Sequence, residues 1–87
     1  FKHAAAVCRL IRVPLSDGQF DALSDFCFNL GAGAFQASTL RSVINRGEYR
    51  DAPNQFKRWV YAGGRRLRGL ERRREAEIEL WNQKYNN

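Results

Sequence analysis

Residues 20–31 form the most apolar stretch of an otherwise basic chain, and helix signals precede and follow it. Ser16 and Gln19 have the spacing of a capping box, and the stretch ends on a glycine, where a left-handed C-cap is expected. The apolar residues on one helical face are Phe20, Leu23, Cys27 and Leu30, and those on other sides are Phe26 and Phe28. Because a helix that is apolar on several sides is usually buried all round, the pattern predicts a central core helix over residues 16–30, with Asn29 as its polar exception.

Hydrophobic spacing elsewhere predicts four further helices, at residues 2–13, 38–46, 49–61 and from residue 70 onward. Pro14 ends the first of them, Gly47 ends the second, and Pro53 is tolerated because it falls in a first turn. Residues 31–35 indicate a flexible turn with one aromatic anchor, and the glycine pair 63–64 interrupts the pattern again. No stretch shows the alternation of a strand. The chain is therefore predicted to be a single all-α domain, residues 1–87, of about five helices packed around the buried central one.

The last predicted helix carries a charge on its apolar stripe. The apolar positions of that stripe are Leu70, Ile78, Trp81 and Tyr85. Arg74 falls among them, and an unpaired buried charge is too costly, so this arginine needs an acidic partner or must line a cavity. The partner is either Glu77 or a group outside this chain. Surface pairs such as Arg72–Glu75 and Arg73–Glu77 are expected to contribute only a few tenths of a kcal/mol each.

Length and cysteine content narrow the class of protein. The chain is long enough for one small domain, and 44% hydrophobic residues suffice for a compact fold. Cys8 and Cys27 fit no metal-binding spacing, Cys27 is expected to be a buried free thiol, and no cofactor is expected. The chain begins without Met, in what resembles the middle of a helix, so we expect it to be a portion of a longer protein.

The charge favours anionic partners. Fifteen Lys and Arg against nine Asp and Glu give a formal charge of +6, which suits nucleic acid, an anionic membrane or bacterial wall polymers. The arginine-rich run at residues 65–74 is the strongest charge feature, and it is either a solvated basic face or a contact for such a partner. The interleaving of Arg with Glu in the last helix argues against nucleic-acid binding.

Few polar residues are candidates for chemistry. Asn29 is either a C-cap amide or an amide on a cleft wall, where its donor and acceptor suit sugar or amide groups. Ser38 and Thr39 most simply form a helix N-cap, a role that is compatible with offering a hydroxyl group to a ligand. His3 is expected to be a surface imidazole. Since the acidic residues show no recognisable acid–base arrangement, the residues alone do not identify an enzyme.

Five motifs follow one another along the chain: LSDGQFDAL at 15–23, FNLGAGAF at 28–35, STL at 38–40, FKRWVYAGG at 56–64 and GLERRREAE at 69–77. Their order and spacing closely resemble those of phage-type lysozymes, the endolysin family that includes the T4 enzyme. The resemblance covers nearly the whole chain. Each motif is weak alone, and the ordered set is specific.

This resemblance implies a helical lobe, like the C-terminal lobe of a lysozyme, that faces a smaller lobe across a cleft for peptidoglycan glycan. The family cleaves the β-1,4 bond between N-acetylmuramic acid and N-acetylglucosamine, which requires a proton donor and a second catalytic group. In the family the donor is a Glu on an N-terminal helix, followed by an Asp and a Thr in the small lobe. We therefore expect the parent protein to be a glycosidase, and this chain to lack the catalytic Glu and to be inactive alone.

Individual roles follow from the same resemblance. The substrate-binding residues that it implies are Phe28, Asn29, Ser38, Thr39 and Gln55. Arg73 matches the arginine that pairs with the catalytic Glu, with a register open by one residue within 72–74. The implied partners are peptidoglycan glycan and an anionic wall or outer-membrane surface, and a second copy or an N-terminal fragment would cover the cleft face. The protein would be made in the host bacterial cytoplasm and would act on the cell wall, in the periplasm.

Two other functions are compatible with the residues. One is a cationic module that disrupts the cell wall or a membrane through residues 65–74 and the last helix, without catalysis. The other is a small helical nucleic-acid binder, whose affinity for DNA would depend steeply on salt.

Overall fold

A central helix, α2 (Asp17–Leu30), packs against α1 (Lys2–Leu10) and α6 (Arg68–Trp81). The computed structural model describes residues 2–83, except for the side chain of Lys2. The remaining elements are α3 (Ala32–Gln36), α4 (Thr39–Asn45), a 3-10 turn (Tyr49–Asp51), α5 (Ala52–Phe56), β1 (Tyr61–Ala62) and β2 (Arg65–Arg66). The predicted helical fold around a central helix is confirmed, with one small antiparallel ribbon added.

Both ends of α2 are capped where the sequence predicts. The hydroxyl of Ser16 accepts a hydrogen bond from the Gln19 backbone N–H at 3.1 Å, and the Gln19 side chain accepts one from the Ser16 N–H at 2.8 Å. At the other end, the Gly31 N–H donates to the Cys27 carbonyl at 2.8 Å. Gly31 has φ 95° and ψ 150°, so it is not in the predicted left-handed helical conformation, although its positive φ still favours glycine. The same residue is the N-cap of α3.

The core is centred on the ring of Phe26, which is completely buried. It makes edge-to-face contacts with Phe35, Phe56 and Trp59 at centroid distances of 5.9, 5.8 and 5.3 Å. Each such pair contributes about 0.5–1.5 kcal/mol beyond the burial of its area. The other buried members of this cluster are Val7, Leu10, Ile11, Ala22, Leu23, Cys27, Leu40, Ile44, Ala52 and Trp81.

One face of α2 is open to solvent, so the prediction that this helix is buried all round is wrong. Phe28 is 66% exposed, and Asp21 and Asn29 are exposed as well. The neighbouring helices α1, α3 and α6 cover the sides that carry Leu23 and Phe26 and leave the remaining strip uncovered. An exposed ring on the central helix is therefore a feature of the surface rather than of the core.

The glycine-rich segment after α2 is helical, which corrects the predicted flexible turn. Residues 32–36 form α3, since Gly31 alone supplies the change of direction. Phe35 is completely buried, so the predicted aromatic anchor is confirmed. The next helix is also as predicted, because Ser38 caps α4 and Gly47, with φ 78°, follows its end.

The predicted helix at 49–61 is wrong beyond its first turns. A 3-10 turn leads into α5, which has Pro53 in its first turn and ends at Phe56. The chain then forms a hairpin whose two-residue turn is Gly63-Gly64, both with positive φ, at 59° and 77°. Two successive residues with positive φ give the turn type that matches the twist of paired strands. Strands of two residues are too short for alternation to appear in the sequence.

The first helix ends at Leu10, three residues before the predicted end. The Leu10 carbonyl accepts hydrogen bonds from Arg41 Nε and Asn45 Nδ2, both at 3.0 Å, and the Arg12 N–H donates to Asn45 Oδ1 at 2.8 Å. The Ile11 N–H still donates to the Val7 carbonyl at 2.9 Å, and from Arg12 onward side chains of α4 take the place of the helical partner. At the other end of the chain, α6 starts at Arg68, two residues early.

Tyr85, which was predicted on the apolar stripe of the last helix, lies outside the described residues. Within residues 2–83, no helix has both the length and the apolar character needed to cross a membrane.

Candidate functional site

Helix α6 places an ion pair in the protein interior. Arg74 and Glu77 are three residues apart, and their side chains are 1% and 0% exposed. The Arg74 Nη2 donates to Glu77 Oε2 at 2.9 Å, and Nε lies 2.7 Å from Oε1. Of the two partners that the sequence allowed for the arginine, the structure identifies Glu77.

The same guanidinium connects three elements. The Arg74 Nη2 donates to Asn29 Oδ1 at the end of α2, at 2.8 Å, and Nη1 donates to the Trp59 carbonyl after α5, at 3.2 Å. The guanidinium carbon lies 5.3 Å from the centre of the Phe26 ring, within range of a cation–π interaction. A single buried side chain therefore joins the core to the exposed amide at residue 29.

Burial raises the pKa values of two groups in this part of the interior. It raises the pKa of the Glu77 carboxyl group to about 8, with a further contribution from a hydrogen bond to Asp25, while Arg74 acts in the opposite direction. Burial also raises the pKa of the Cys27 thiol to about 11, and the charge of Glu77 adds to the effect. Cys27 is a buried free thiol, as predicted, and Cys8 is an exposed one.

Arg73 lies beside this pair on the more exposed side of α6. Its Nε is 3.5 Å from Asp25 Oδ2 on α2, and the two side chains are 40% and 33% exposed. In the described part of the chain, the expected Arg73–Glu77 pair does not form. Glu77 lies on the buried stripe of α6 and pairs with Arg74, which shares that stripe.

An open groove of about 480 Å³ adjoins these residues between α1 and α2. Phe28 lines it and meets the His3 imidazole edge to face, with ring centroids 5.4 Å apart. Its other lining residues are Ala4, Phe20, Asp21, Ser24, Asp25 and Leu80. His3 is half-buried there, so it is less exposed than the surface imidazole that the sequence indicated.

The other predicted substrate-binding residues lie elsewhere. Ser38 is buried, donates to the Phe35 carbonyl at 2.6 Å and accepts from the Arg41 N–H at 3.1 Å, whereas Thr39 is exposed. Gln55 accepts a hydrogen bond from Arg58 at 3.3 Å. Within residues 2–83, neither Ser38 nor Gln55 hydrogen-bonds to the arginines of α6. Of the five predicted residues, the structure connects Asn29 directly to Arg74, and Phe28 is its neighbour in the chain.

The described residues contain no group of three or more His, Cys, Asp or Glu side chains arranged to hold a metal ion.

Comparison with known proteins decides the family. The profile described as phage lysozyme matches residues 2–77. The chain belongs to the phage lysozyme family. The resemblance drawn from the five motifs is thereby confirmed.

Curated members of the phage lysozyme family are longer than this chain. The SAR-endolysin of Escherichia phage Mu is 49% identical over 78 residues, which are 90% of this chain and 46% of that protein. The endolysin of Bacillus phage B103 is 41% identical over 75 residues, or 86% of this chain and 28% of that protein. The chain spans about half the length of the first of these relatives and less of the second.

Two solved structures share the fold. The muramidase domain of SpmX from Asticaccaulis excentricus superposes with a TM-score of 0.89 at 34% identity, over 97% of this chain and 60% of that one. The endolysin from Escherichia coli O157:H7 phage FAHEc1 gives a TM-score of 0.82 at 29% identity, over 99% of this chain and 58% of that one. The arrangement of helices in this family member is thus that of known lysozyme-type proteins.

Sequence reasoning missed two contributors to the site. Asp25 approaches Arg73 from α2, and Trp59 contributes its backbone carbonyl to Arg74. A backbone carbonyl acceptor cannot be recognised from the sequence, because every residue has one. The one signal in the sequence was the position of Arg74 on an apolar stripe. It indicated that this arginine needs a partner, but it did not indicate that three groups accept its hydrogen bonds.

Proposed function

We propose that this chain is the glycan-binding helical lobe of a peptidoglycan hydrolase that cleaves the β-1,4 bond between N-acetylmuramic acid and N-acetylglucosamine. The observation that carries the proposal is the close match of its fold to a muramidase domain. Membership of the phage lysozyme family supports the same reaction. The cell wall would be the place of action, reached from the host bacterial cytoplasm.

Phe28 and Asn29 are the residues that we assign to glycan contact. An exposed aromatic ring beside an exposed side-chain amide combines an apolar surface for a sugar face with a hydrogen-bonding group for its substituents. Thr39 is exposed, so its hydroxyl group can reach a ligand, whereas the Ser38 hydroxyl is engaged in capping α4. Gln55 keeps a predicted role in substrate binding.

The proposal assigns the general acid to a Glu that is not among these 87 residues. Glu77 has a pKa of about 8, yet it is completely buried and paired with Arg74, so a glycosidic oxygen has no access to it. Arg73 is partly exposed and lies near Asp25, which lines the groove, and we propose that it pairs with this general acid.

Clearing of a peptidoglycan suspension tests this function. A longer form of the protein that includes the N-terminal segment of its relatives is expected to clear the suspension, and the 87-residue chain is not. In the longer form, Asn29→Ala and Arg73→Ala should each reduce the rate about tenfold or more while the helical circular dichroism spectrum is kept. Asn54→Ala, a truncation of an exposed amide on α5, is the matched control. A longer form without clearing activity would overturn the proposal.

A second function has a specific observation in its favour. Residues 57–72 contain six Lys and Arg against one Glu, so they hold five of the six net positive charges of the chain. Residues 61–69 are all exposed. We propose that this basic segment, residues 57–72, adheres to an anionic wall or outer-membrane surface and so holds the protein near its substrate.

A second copy of the chain or an N-terminal fragment is the further partner that we propose, lying over the groove beside Phe28. Sedimentation of the purified chain over a range of concentrations tests the first of these, since a dimer would dissociate on dilution.

A further inference from the structure

The amide of Asn29 is held in one orientation by what it contacts. Every polar hydrogen of an arginine is a donor, and an amide presents an acceptor on one side and a donor on the other. Since the Arg74 Nη2 lies 2.8 Å from the amide, the oxygen must face the arginine and the NH2 group must face away from it. Asn29 is exposed as a residue, and its NH2 group is the part of the amide that does not face the arginine.

Arg74 cannot turn away to release this amide. Its side chain is 1% exposed. The guanidinium contacts Glu77 through two nitrogen atoms and the Trp59 carbonyl through the third, and it lies over the Phe26 ring. Phe26 and Glu77 lie on helices, and Trp59 follows the turn at the end of α5. Rotating the arginine would break several charge-assisted contacts and leave buried polar atoms without partners, which costs about 1–3 kcal/mol for each group.

We propose that Arg74, held by Glu77, is a positioning residue that fixes the Asn29 amide with its NH2 group outward, so that the site selects hydrogen-bond acceptors. In the glycan such acceptors are the carbonyl oxygens of N-acetyl groups and the hydroxyl oxygens. The inference rests on the proposed function, because it takes Asn29 as a glycan contact, and it adds the polarity of that contact and the buried pair that sets it.

The contact between Arg74 and the oxygen of residue 29 is tested by measuring thermal stability. Asn29→Asp keeps an oxygen acceptor for Arg74, whereas Asn29→Leu has a similar size and removes it. We expect the melting temperature of the Asp variant to stay within about 2 °C of the parent chain, and that of the Leu variant to fall by about 5–10 °C. Equal losses in the two variants would show that Arg74 does not depend on an acceptor at residue 29, and would overturn the positioning role.

The role of the Asn29 NH2 group is tested by measuring affinity for a glycan. The probe is the trimer of N-acetylglucosamine, and its binding to the chain is followed by nuclear magnetic resonance titration. Asn29→Asp replaces the outward donor by an acceptor, so its affinity should fall about tenfold or more although the fold is kept. Asn54→Asp makes the same change of charge at an exposed position of α5 and should leave the affinity unchanged. An Asn29→Asp variant that binds the probe as tightly as the parent chain would overturn the proposed polarity.

The two proposals fail in different ways. If the parent chain binds no probe at all, glycan binding by this lobe is wrong, while the comparison of the Asp and Leu variants still decides whether Arg74 positions the amide. If the parent chain binds and Asn29→Asp binds equally well, the lobe is a glycan binder and the polarity of its contact is wrong.

Discussion

At the scale of single residues, Glu77 shows how an acid is retained in an apolar interior. Its carboxyl group is removed from water, which raises its pKa to about 8, and the adjacent Arg74 recovers part of the cost. Removing one partner of a buried pair typically costs about 3–5 kcal/mol, because the other charge remains uncompensated. The attraction within the pair mainly offsets the removal of both groups from water, so the intact pair fixes the geometry near Asn29 more than it adds to the free energy of unfolding.

The raised pKa predicts how stability depends on pH. The folded-state pKa of Glu77, about 8, lies above its ordinary value of 4.5, so the folded protein binds the proton more tightly than the unfolded chain does. Its stabilising contribution is complete below about pH 4.5 and is lost as the pH rises through about 8, by at most about 1.4 kcal/mol per pH unit.

Urea unfolding at several pH values between 5 and 8 measures this slope, with Glu77→Gln as the reference. The amide keeps an acceptor for Arg74 but does not titrate in this range. The parent chain should lose free energy of unfolding relative to the variant as the pH is raised. The same slope in both proteins would show that Glu77 does not take up a proton on folding.

At the scale of elements, the close packing of α2 against the end of α6 depends on Gly18. A β-carbon at this position would overlap the carbonyl oxygen of Leu80, a backbone atom that cannot move without shifting α6. The side chains of Arg74 and Glu77 extend from that same helix. The absence of a side chain at residue 18 therefore allows the two helices to pack this closely.

Gly18→Ala is expected to lower the free energy of unfolding by about 1–3 kcal/mol, because the two helices must separate to admit the methyl group. Gly69→Ala is its matched control, since a β-carbon on this α6 residue meets no atom within 4 Å. Thermal unfolding compares the two. The control should be neutral or stabilise the protein by up to about 1 kcal/mol, and equal losses in both variants would contradict the close contact.

The elements that the sequence predicts well are those with local signals. The cap at Ser16 and the stop at Gly47 depend on residues within a few positions of the helix end, and both are present. The early end of α1 depends on Arg41 and Asn45, some thirty residues away in sequence. The hairpin after α5 was missed for a related reason, since its strands are too short to show a period.

At the scale of the whole molecule, the uneven distribution of charge predicts where anionic surfaces bind. The chain should bind vesicles that contain anionic phospholipid in preference to neutral ones, and added salt should weaken the binding. Arg65→Glu with Arg68→Glu should reduce the binding strongly. Arg9→Glu with Arg12→Glu makes the same change of net charge outside residues 57–72, and equal losses in the two double variants would show that only total charge matters.

The sequence predicts part of the candidate site, through the family to which the whole chain belongs. The motif order identifies the family, because the motifs are contiguous in the chain. The same resemblance makes Asn29 a candidate for glycan contact. The contact of Asn29 with Arg74 joins residues 45 positions apart and depends on how α2 packs against α6. Three successive arginines in the sequence left the register open. Burial distinguishes them, since Arg74 is enclosed and Arg73 is partly exposed.

Gly31 is the single residue that connects α2 to α3, so no loop separates the two helices. It ends one helix and begins the next, so an extra residue at this point has no loop in which to be accommodated. One added residue turns a following helix by about 100° about its axis, which would carry Phe35 from the centre of the core to its edge. Variation in chain length should therefore be absent at this joint and tolerated at the exposed turn of residues 46–48, a contrast that insertion scanning would reveal.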